Sequence, residues 1–155
     1  MGKVINREVA RVLCDDFRKK KQIVFTNGCF DLLHIGHIRY LQEAKKHGDI
    51  LVVGINSDSS VKQLKGIQRP IQIESDRAEI LAALECVDYT VIFSEENPLE
   101  LIKELKPQVL VKGGDWKTEN IVGSSFVLAA GGKVLSLNFV DGRSTTKIIT
   151  KIETE

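Results

Sequence analysis

Residues 23–37 read IVFTNGCFDLLHIGH, and this stretch decides the fold. Its first residues, Ile23, Val24 and Phe25, form a continuous apolar run, which is typical of a strand buried on both faces. Glycines and histidines follow, and a helical pattern begins at His37. The stretch therefore predicts a strand, a ligand-binding turn and a helix, in that order.

The same alternation continues along the chain. Further apolar runs with many β-branched residues lie at 50–53, 89–93, 109–111 and 134–137, and helical patterns lie at 37–47, at 76–85 and after Pro98. A β-α-β-α order predicts an α/β fold, here a Rossmann-like parallel sheet of about five strands flanked by helices. In such sheets ligands bind beyond the carboxyl ends of the strands, where the strand order reverses. We therefore expect the functional site in the strand-to-helix turns.

The segment before the first strand has its own pattern. Val9, Leu13 and Phe17 recur at i, i+4 and i+8, which predicts an amphipathic helix. Four cations follow at 18–21, where the helix macrodipole favours positive charge; an anion-binding patch is the alternative. We interpret residues 1–22 as a helical extension of a single domain that spans 1–155.

Composition excludes several classes of protein. The chain has 155 residues, 43% of them apolar, and its 22 Lys and Arg nearly balance 21 Asp and Glu. This composition is typical of one globular domain and gives no broad basic field, so neither nucleic acid nor a membrane surface is an expected partner. The sequence contains neither a membrane span nor a signal peptide, and its three cysteines form no CxxC pair. We expect a cytoplasmic protein.

The turn after the first strand carries the chemistry. Gly28 lets the backbone approach a ligand closely, and Gly36 keeps the helix entrance open, so that backbone N–H groups can face a phosphate. His34 and His37 are three residues apart, which places both imidazoles on one side of a helical turn. Both rings can then donate to one polyphosphate. The alternatives are an ordinary local hydrogen bond for each histidine and a metal site, for which the sequence offers no third ligand nearby.

The spacing of this turn excludes two common nucleotide-binding motifs. It is neither the G-x-G-x-x-G of dinucleotide-binding dehydrogenases nor the P-loop G-x-x-x-x-G-K-[ST]. Hydride transfer and ordinary kinase chemistry are therefore disfavoured. The sequence predicts a site where the phosphates of a nucleoside triphosphate meet histidines and backbone donors.

Residues 28–31 (GCFD) followed by 34–37 (HIGH) resemble the H-x-G-H nucleotidyltransferase superfamily. Further landmarks extend the resemblance from Thr26 to about Ile152: NSD at 56–58, KQLKG at 62–66, RPI at 69–71, KGGDW at 112–116 and DGRSTT at 141–146. Together they resemble the heptose 1-phosphate adenylyltransferases. This resemblance implies transfer of AMP from ATP to D-glycero-β-D-manno-heptose 1-phosphate, which gives ADP-heptose and pyrophosphate for lipopolysaccharide core or surface heptose.

Two alternatives stay open inside the superfamily and one outside it. Glycerol-3-phosphate cytidylyltransferases share the first turn but carry Arg-Tyr-Val-Asp where this chain has ECVD at 85–88. The other related alternative is a transferase that joins ATP to a flavin or a pantetheine phosphate, such as a flavin adenine dinucleotide synthetase. A non-catalytic nucleotide-binding module would bind ATP without releasing pyrophosphate.

The resemblance and the residue chemistry together select the candidate site. We expect His34, His37 and Lys65 to act on the reacting phosphates. Acceptor binding is expected from Asp31, Lys62, Arg77 and Trp116, with capping for Asp31, solvated charge for the lysines and packing for Trp116 as the alternatives. Nucleotide binding is expected from the two histidines and from Asn27, Gly28, Cys29, Phe30, Gly36, Lys112, Gly113, Asp115, Ser144, Thr145 and Thr146.

The expected co-reactants follow from the same resemblance. ATP is the expected substrate, accompanied by Mg²⁺ that phosphate oxygens and water hold, without a dedicated set of protein ligands. Members of the superfamily are commonly dimers, which makes a homodimer the expected assembly. Because 155 residues leave no room for a sugar kinase domain, a separate heptose kinase is expected to supply the acceptor.

Overall fold

The computed structural model describes residues 1–154. Its centre is a parallel sheet of six strands in the order β1-β4-β3-β2-β5-β6. The strands are β1 (Lys3–Val4), β2 (Ile23–Gly28), β3 (Ile50–Asn56), β4 (Tyr89–Phe93), β5 (Val109–Gly113) and β6 (Lys133–Leu137). The five predicted strands are present. The sixth, β1, has only two residues and is therefore too short to show a hydrophobic pattern.

Helices connect the strands and confirm the α/β class. They are α1 (Arg7–Phe17), α2 (Ile35–Lys45), α3 (Asp58–Lys65), α4 (Glu74–Ala82), α5 (Leu99–Leu105), α6 (Ser124–Ala129) and α7 (Thr145–Glu153), with a 3-10 turn at Thr118–Asn120. The sequence analysis did not predict α3, which is mostly polar, or the short α6. Helix α2 begins at Ile35, two residues before the prediction, because His34 caps it.

Alternating strand residues fill two apolar layers, one on each face of the sheet. On one face Phe25 and Leu110 pack with α1, α5 and α6. On the other face Val24 and Val109 pack with α2 and α4. Because both faces are covered, the strands are continuously apolar, which is the pattern that predicted them.

The N-terminal segment differs from its prediction in two respects. Its first residues pair with the sheet as β1, so residues 1–22 are not helical throughout. Helix α1 forms as predicted, but Ala10 and Cys14 are its buried residues, whereas Val9 of the predicted stripe is 42% exposed. Small side chains bring α1 close to the sheet, and a stripe chosen by hydrophobicity alone overlooks them.

The strand order reverses next to β2. Strand β3 lies on one side of β2, and β5, which comes later in the chain, lies on the other. A crevice opens at such a reversal, beyond the carboxyl ends of the two diverging strands. Here those ends are Gly28 and Gly113.

Among residues 1–154, no helix is both long and apolar enough to cross a membrane.

Candidate active site

A cleft of about 400 Å³ lies at the predicted edge of the sheet. Strand ends contribute Asn27, Asn56 and Lys112 to its walls, and helix starts contribute His37 and Thr145. The structure therefore brings together residues that are more than a hundred positions apart in the chain. The cleft is the candidate active site.

The two histidines share one arrangement at the start of α2. The backbone N–H of Gly36 donates to Nδ1 of His34 at 3.1 Å, and the backbone N–H of His34 donates to Nδ1 of His37 at 3.3 Å. A nitrogen that accepts a hydrogen bond carries no proton, so the proton of each neutral ring is on Nε2. No side chain or backbone group of residues 1–154 hydrogen-bonds either Nε2. Each Nε2–H is therefore available to a ligand.

Both imidazoles are neutral near pH 7. Burial, together with the charges of His34 and Lys65, lowers the pKa of His37 to about 4. Burial and the nearby Arg143 guanidinium also lower the pKa of His34. The pair therefore acts as two hydrogen-bond donors rather than as two cations.

Gly36 is required by the His34 ring itself. A Cβ at residue 36 would lie 2.8 Å from Cε1 and 2.9 Å from Nδ1 of His34. Such a contact is shorter than van der Waals distance, so any other residue would push the ring away. The role is more specific than the open helix entrance that the sequence predicted.

Phe30 supports the other histidine. Its ring is buried and lies edge-on to His37, with 5.4 Å between ring centroids. A Cβ at Gly28 would lie 3.0 Å from this ring, so the glycine makes room for Phe30. The sequence placed Gly28 and Phe30 against the nucleotide. In the structure both contribute to the cleft wall, and their mutual packing holds His37.

The start of α7 lies against the same turn. The Ser144 side chain caps the helix by accepting from the N–H of Lys147, and the Thr145 hydroxyl donates to the carbonyl oxygen of Leu32 at 2.8 Å. The first N–H groups of a helix have no partner within it. The contact between Thr145 and Leu32 brings those of α7 beside those of α2. Thr145 lines the cleft and Thr146 is exposed.

The predicted lysines differ in position. Lys65 lines the cleft, and Lys112 lies between the cleft and a second cavity, where burial lowers its pKa. Lys62 is exposed and contributes to neither cavity wall. Its predicted role in acceptor binding therefore has no geometric support.

Asp31 is a correction to the predicted site. Its carboxylate is 1% exposed and accepts from Nε of Arg69 at 2.7 Å and from the backbone N–H groups of Ile71 and Gln72 at 2.9 Å. These hydrogen bonds hold the pKa of Asp31 below its usual value despite burial. The carboxylate therefore anchors the 69–72 loop, although Asp31 itself is among the residues that line the cleft.

Arg77 is a second correction. Its side chain is fully buried and donates to the carbonyl oxygens of Cys29 and Gln72, at 2.6 and 3.0 Å, and to Asp58 at 2.9 Å. All its nitrogens thus serve the protein, and none is exposed to a substrate. Arg77 fixes the backbone of the first turn, including the Cys29 peptide that lines the cleft.

The glycines after β5 make room for aromatic rings. A Cβ at Gly113 would lie 2.5 Å from the ring of Phe139, and one at Gly114 would lie 2.9 Å from Nε1 of Trp116. Gly113 also lines the cleft, and its predicted contact with the nucleotide stays a prediction. Trp116 itself donates to the carbonyl oxygen of Gly113 at 3.1 Å.

A second cavity of about 170 Å³ opens beside β5. Trp116, Asn120 and Val122 line it, and it shares Asn27 and Lys112 with the main cleft. Asp115, which the sequence also placed here, is exposed and lines neither cavity. An apolar cavity with a flanking indole and amides suits a flat heterocycle such as a nucleobase.

Sequence reasoning did not select several residues of the cleft. Glu96, Asn97 and Phe139 line it, as does Tyr40, whose hydroxyl donates to the carbonyl oxygen of Val111 at 3.3 Å. Asn56, which the sequence analysis quoted only within the NSD landmark, ends a buried strand and also lines the cleft. The others come from loops or from a helix face, where no periodicity marks them.

The residues described offer little to a bare metal ion. Within 1–154 no group of three His, Cys, Asp or Glu side chains lies close enough together to hold one. An ion carried by the phosphates of a nucleotide, with water completing its shell, is compatible with this donor set.

A parallel sheet with paired imidazoles and two helix starts at its switch point defines a protein of the nucleotidyltransferase class. The chain belongs to the cytidylyltransferase-like family, whose model matches residues 25–151.

Similarity to known proteins indicates which members of this class the chain resembles. The chain is 63% identical to the bifunctional protein HldE of Geobacter metallireducens over 132 residues, which is 85% of this chain and 27% of that protein. It is 61% identical to HldE of Campylobacter fetus, over 88% of this chain and 29% of that protein. The chain thus spans less than a third of the length of these curated relatives. The crystal structure of a lipopolysaccharide core biosynthesis protein from Thermoplasma volcanium is 32% identical, covers 77% of this chain and 97% of that one, and has a TM-score of 0.64.

Proposed function

We propose that this protein transfers AMP from ATP to D-glycero-β-D-manno-heptose 1-phosphate and releases pyrophosphate. The observation that carries the proposal is the pair of Nε2–H donors of His34 and His37 beside the starts of α2 and α7. Two neutral donors and two helix starts suit a polyphosphate, which carries its own charge. The similarity to HldE and to the lipopolysaccharide core biosynthesis protein supports a heptose acceptor.

In the proposed reaction an oxygen of the acceptor phosphate attacks the α-phosphorus of ATP. The bond from that phosphorus to the pyrophosphate oxygen breaks, and the electron pair leaves with pyrophosphate. The attacking phosphate is already anionic near pH 7, so no side chain has to remove a proton. Catalysis then consists of positioning and charge stabilisation, as in other phosphoryl transfers.

We assign roles in this reaction to the two histidines, Lys65, the start of α7 and Arg143. His34 and His37 donate to oxygens around the α-phosphorus, and Lys65 neutralises the developing charge. The N–H groups that begin α7, at Thr145 and Thr146, hold the pyrophosphate end, and Arg143 adds a cation beside His34. Mg²⁺ bound to the phosphates would supply further charge neutralisation.

The nucleoside is placed beside β5. The 170 Å³ cavity takes the base, and Trp116 forms part of its wall. Lys112 lies where this cavity meets the cleft, so its charge faces the α-phosphate side. Because burial disfavours the Lys112 cation, a bound phosphate would restore part of the lost solvation.

The proposal is tested by measuring pyrophosphate with Mg²⁺ and one nucleoside triphosphate at a time. Heptose 1-phosphate is compared with glycerol 3-phosphate and flavin mononucleotide as acceptors. Release with ATP and heptose phosphate is the expected result. Release only with CTP and glycerol 3-phosphate, or only with flavin mononucleotide, would replace the acceptor assignment.

The cellular setting is part of the proposal. A sugar kinase reaction supplies the heptose 1-phosphate, and the protein works in the cytoplasm as a homodimer. Sedimentation velocity at micromolar concentration tests the dimer. A single species at the monomer mass of 17.3 kDa would contradict it.

A further inference from the structure

The β3 and β4 end of the cleft carries polar side chains that the reaction above does not use. Asn56 is the last residue of β3, and Glu96 and Asn97 lie in the loop between β4 and α5. All three line the cleft, together with Leu64 of α3. Asn56 ends the strand on the side of β2 away from β5, and Pro98, which follows Asn97, lines both the cleft and the proposed base cavity.

The orientation of the Asn56 amide follows from its neighbours. Ser60 donates its hydroxyl hydrogen to the carbonyl oxygen of Glu95 at 3.2 Å, so the Ser60 oxygen must accept from Asn56. Nδ2 of Asn56 therefore faces Ser60, at 2.9 Å, and Oδ1 faces the other way. No donor among residues 1–154 hydrogen-bonds this Oδ1, although Asn56 is only 4% exposed. A nearly buried amide thus offers an unpaired acceptor to the cleft.

Glu96 adds a second acceptor. Its neighbour Glu95 forms an ion pair with Arg7, whereas Glu96 forms no ion pair within residues 1–154. An ionised carboxylate only accepts hydrogen bonds. In Asn97 the side-chain oxygen accepts from the N–H of Leu99 at 3.0 Å, which leaves the amide NH₂ as a donor.

The cleft therefore presents two kinds of group. His37, Lys65 and Lys112 present donors and positive charge, which suit phosphate oxygens. Asn56 and Glu96 present acceptors, which suit hydroxyl groups and would repel a second phosphate or a carboxylate. A ligand that satisfies both kinds of group is a phosphate monoester with a neutral, polyhydroxylated body.

We propose that Asn56 and Glu96 form the hydroxyl-binding part of the acceptor site and select polyol or sugar phosphates over acceptors with further negative charge. The assignment rests on the proposed function.

Calorimetric titration with heptose 1-phosphate, in the presence of Mg²⁺ and α,β-methylene-ATP, tests this inference without turnover. Glu96→Gln keeps the size of the exposed side chain and removes its charge. Glu100→Gln, on the solvent face of α5 where Glu100 pairs with Lys103, is the matched control. A hydrogen bond to a charged group is worth about 1.5–3 kcal/mol, so Glu96→Gln is expected to weaken acceptor binding roughly 10-fold or more. Affinity for the ATP analogue is expected to stay unchanged in both variants.

The outcomes separate the two claims. Equal acceptor affinity in wild type and Glu96→Gln would overturn the hydroxyl site alone. Acceptor binding to the wild type without pyrophosphate release from ATP would contradict the proposed function alone. Absence of acceptor binding to the wild type would contradict both. Asn56→Ala is expected to act in the same direction as Glu96→Gln, and its melting temperature shows whether a loss of binding reflects folding.

Discussion

The hydroxyl of Thr145 donates to the carbonyl oxygen of Leu32 at 2.8 Å, across 113 positions of sequence. This hydrogen bond joins the start of α7 to the loop that leads into His34. Helix α7 has no fully buried residue of its own, and Ile148 and Ile149 are only half-buried. The Thr145 hydrogen bond therefore contributes to the position of the proposed pyrophosphate end.

Thr145→Val tests that contribution. The substitution keeps the shape of the side chain and removes the donor, so we expect at least a tenfold higher KM for ATP. The cost in unfolding free energy should be only about 1 kcal/mol, the usual worth of one hydrogen bond. Steady-state kinetics and urea unfolding give the two numbers. Thr150→Val, on an exposed turn of the same helix, is the control, and an unchanged KM in Thr145→Val would contradict this role.

Gly36→Ala should separate activity from stability. Alanine is favoured over glycine within a helix by up to about 1 kcal/mol, but here its Cβ would displace the His34 ring. We expect kcat to fall by at least tenfold while the melting temperature changes little. The control is the double variant with His34→Ala, in which Gly36→Ala should cost nothing further. An additive loss would show that the glycine acts independently of His34.

The protonation of the histidine pair is directly measurable. At pH 7 the ¹⁵N shifts of both rings should report a proton on Nε2 and none on Nδ1. Because the pKa of His37 falls to about 4 on folding from an ordinary value near 6.5, the unfolded chain binds more protons between these values. Stability from this group is therefore complete above pH 6.5 and is lost as the pH falls toward 4. A titration midpoint for His37 at or above 6.5 would contradict the assignment.

Arg77 should matter for folding rather than for substrate affinity. Arg77→Met leaves the Asp58 carboxylate and two carbonyl oxygens without their donor, so we expect a loss of about 3 kcal/mol or more in unfolding free energy. Lys62→Met removes an exposed cation and should change the unfolding free energy by less than about 0.5 kcal/mol. Chemical denaturation compares them. A stable Arg77→Met protein with a raised acceptor KM would instead restore the substrate-binding role predicted from sequence.

The sequence predicted those features that depend on short-range pattern. Buried strands such as 89–93 appear in the structure with the predicted bounds, and the histidine turn stands at the start of a helix. Strand β1 has too few residues to show a period, and the buried face of α1 depends on Ala10 and Cys14, which are small. Pattern alone does not indicate either feature.

Charged residues were harder to assign than glycines and histidines. Asp31 and Arg77 have side chains suited to a substrate, and only the fold shows that protein groups already occupy them. Asn56, in contrast, was not selected from the sequence as a site residue. The availability of its side-chain oxygen follows only from a hydrogen-bond chain through Ser60 and Glu95. Long-range partners decide such roles, and these partners are not visible in one sequence.

The most direct test of the account is pyrophosphate release from ATP and D-glycero-β-D-manno-heptose 1-phosphate, with wild type, His34→Ala and His37→Ala compared at pH 7.5. The account predicts release by the wild type, dependent on both substrates, and a loss of roughly 100-fold or more in kcat for each variant, since an oriented donor to a developing charge is worth 10²–10³ in rate. Both variants should keep their fold. Wild-type turnover that survives in both variants, or ATP binding without any pyrophosphate, would contradict it.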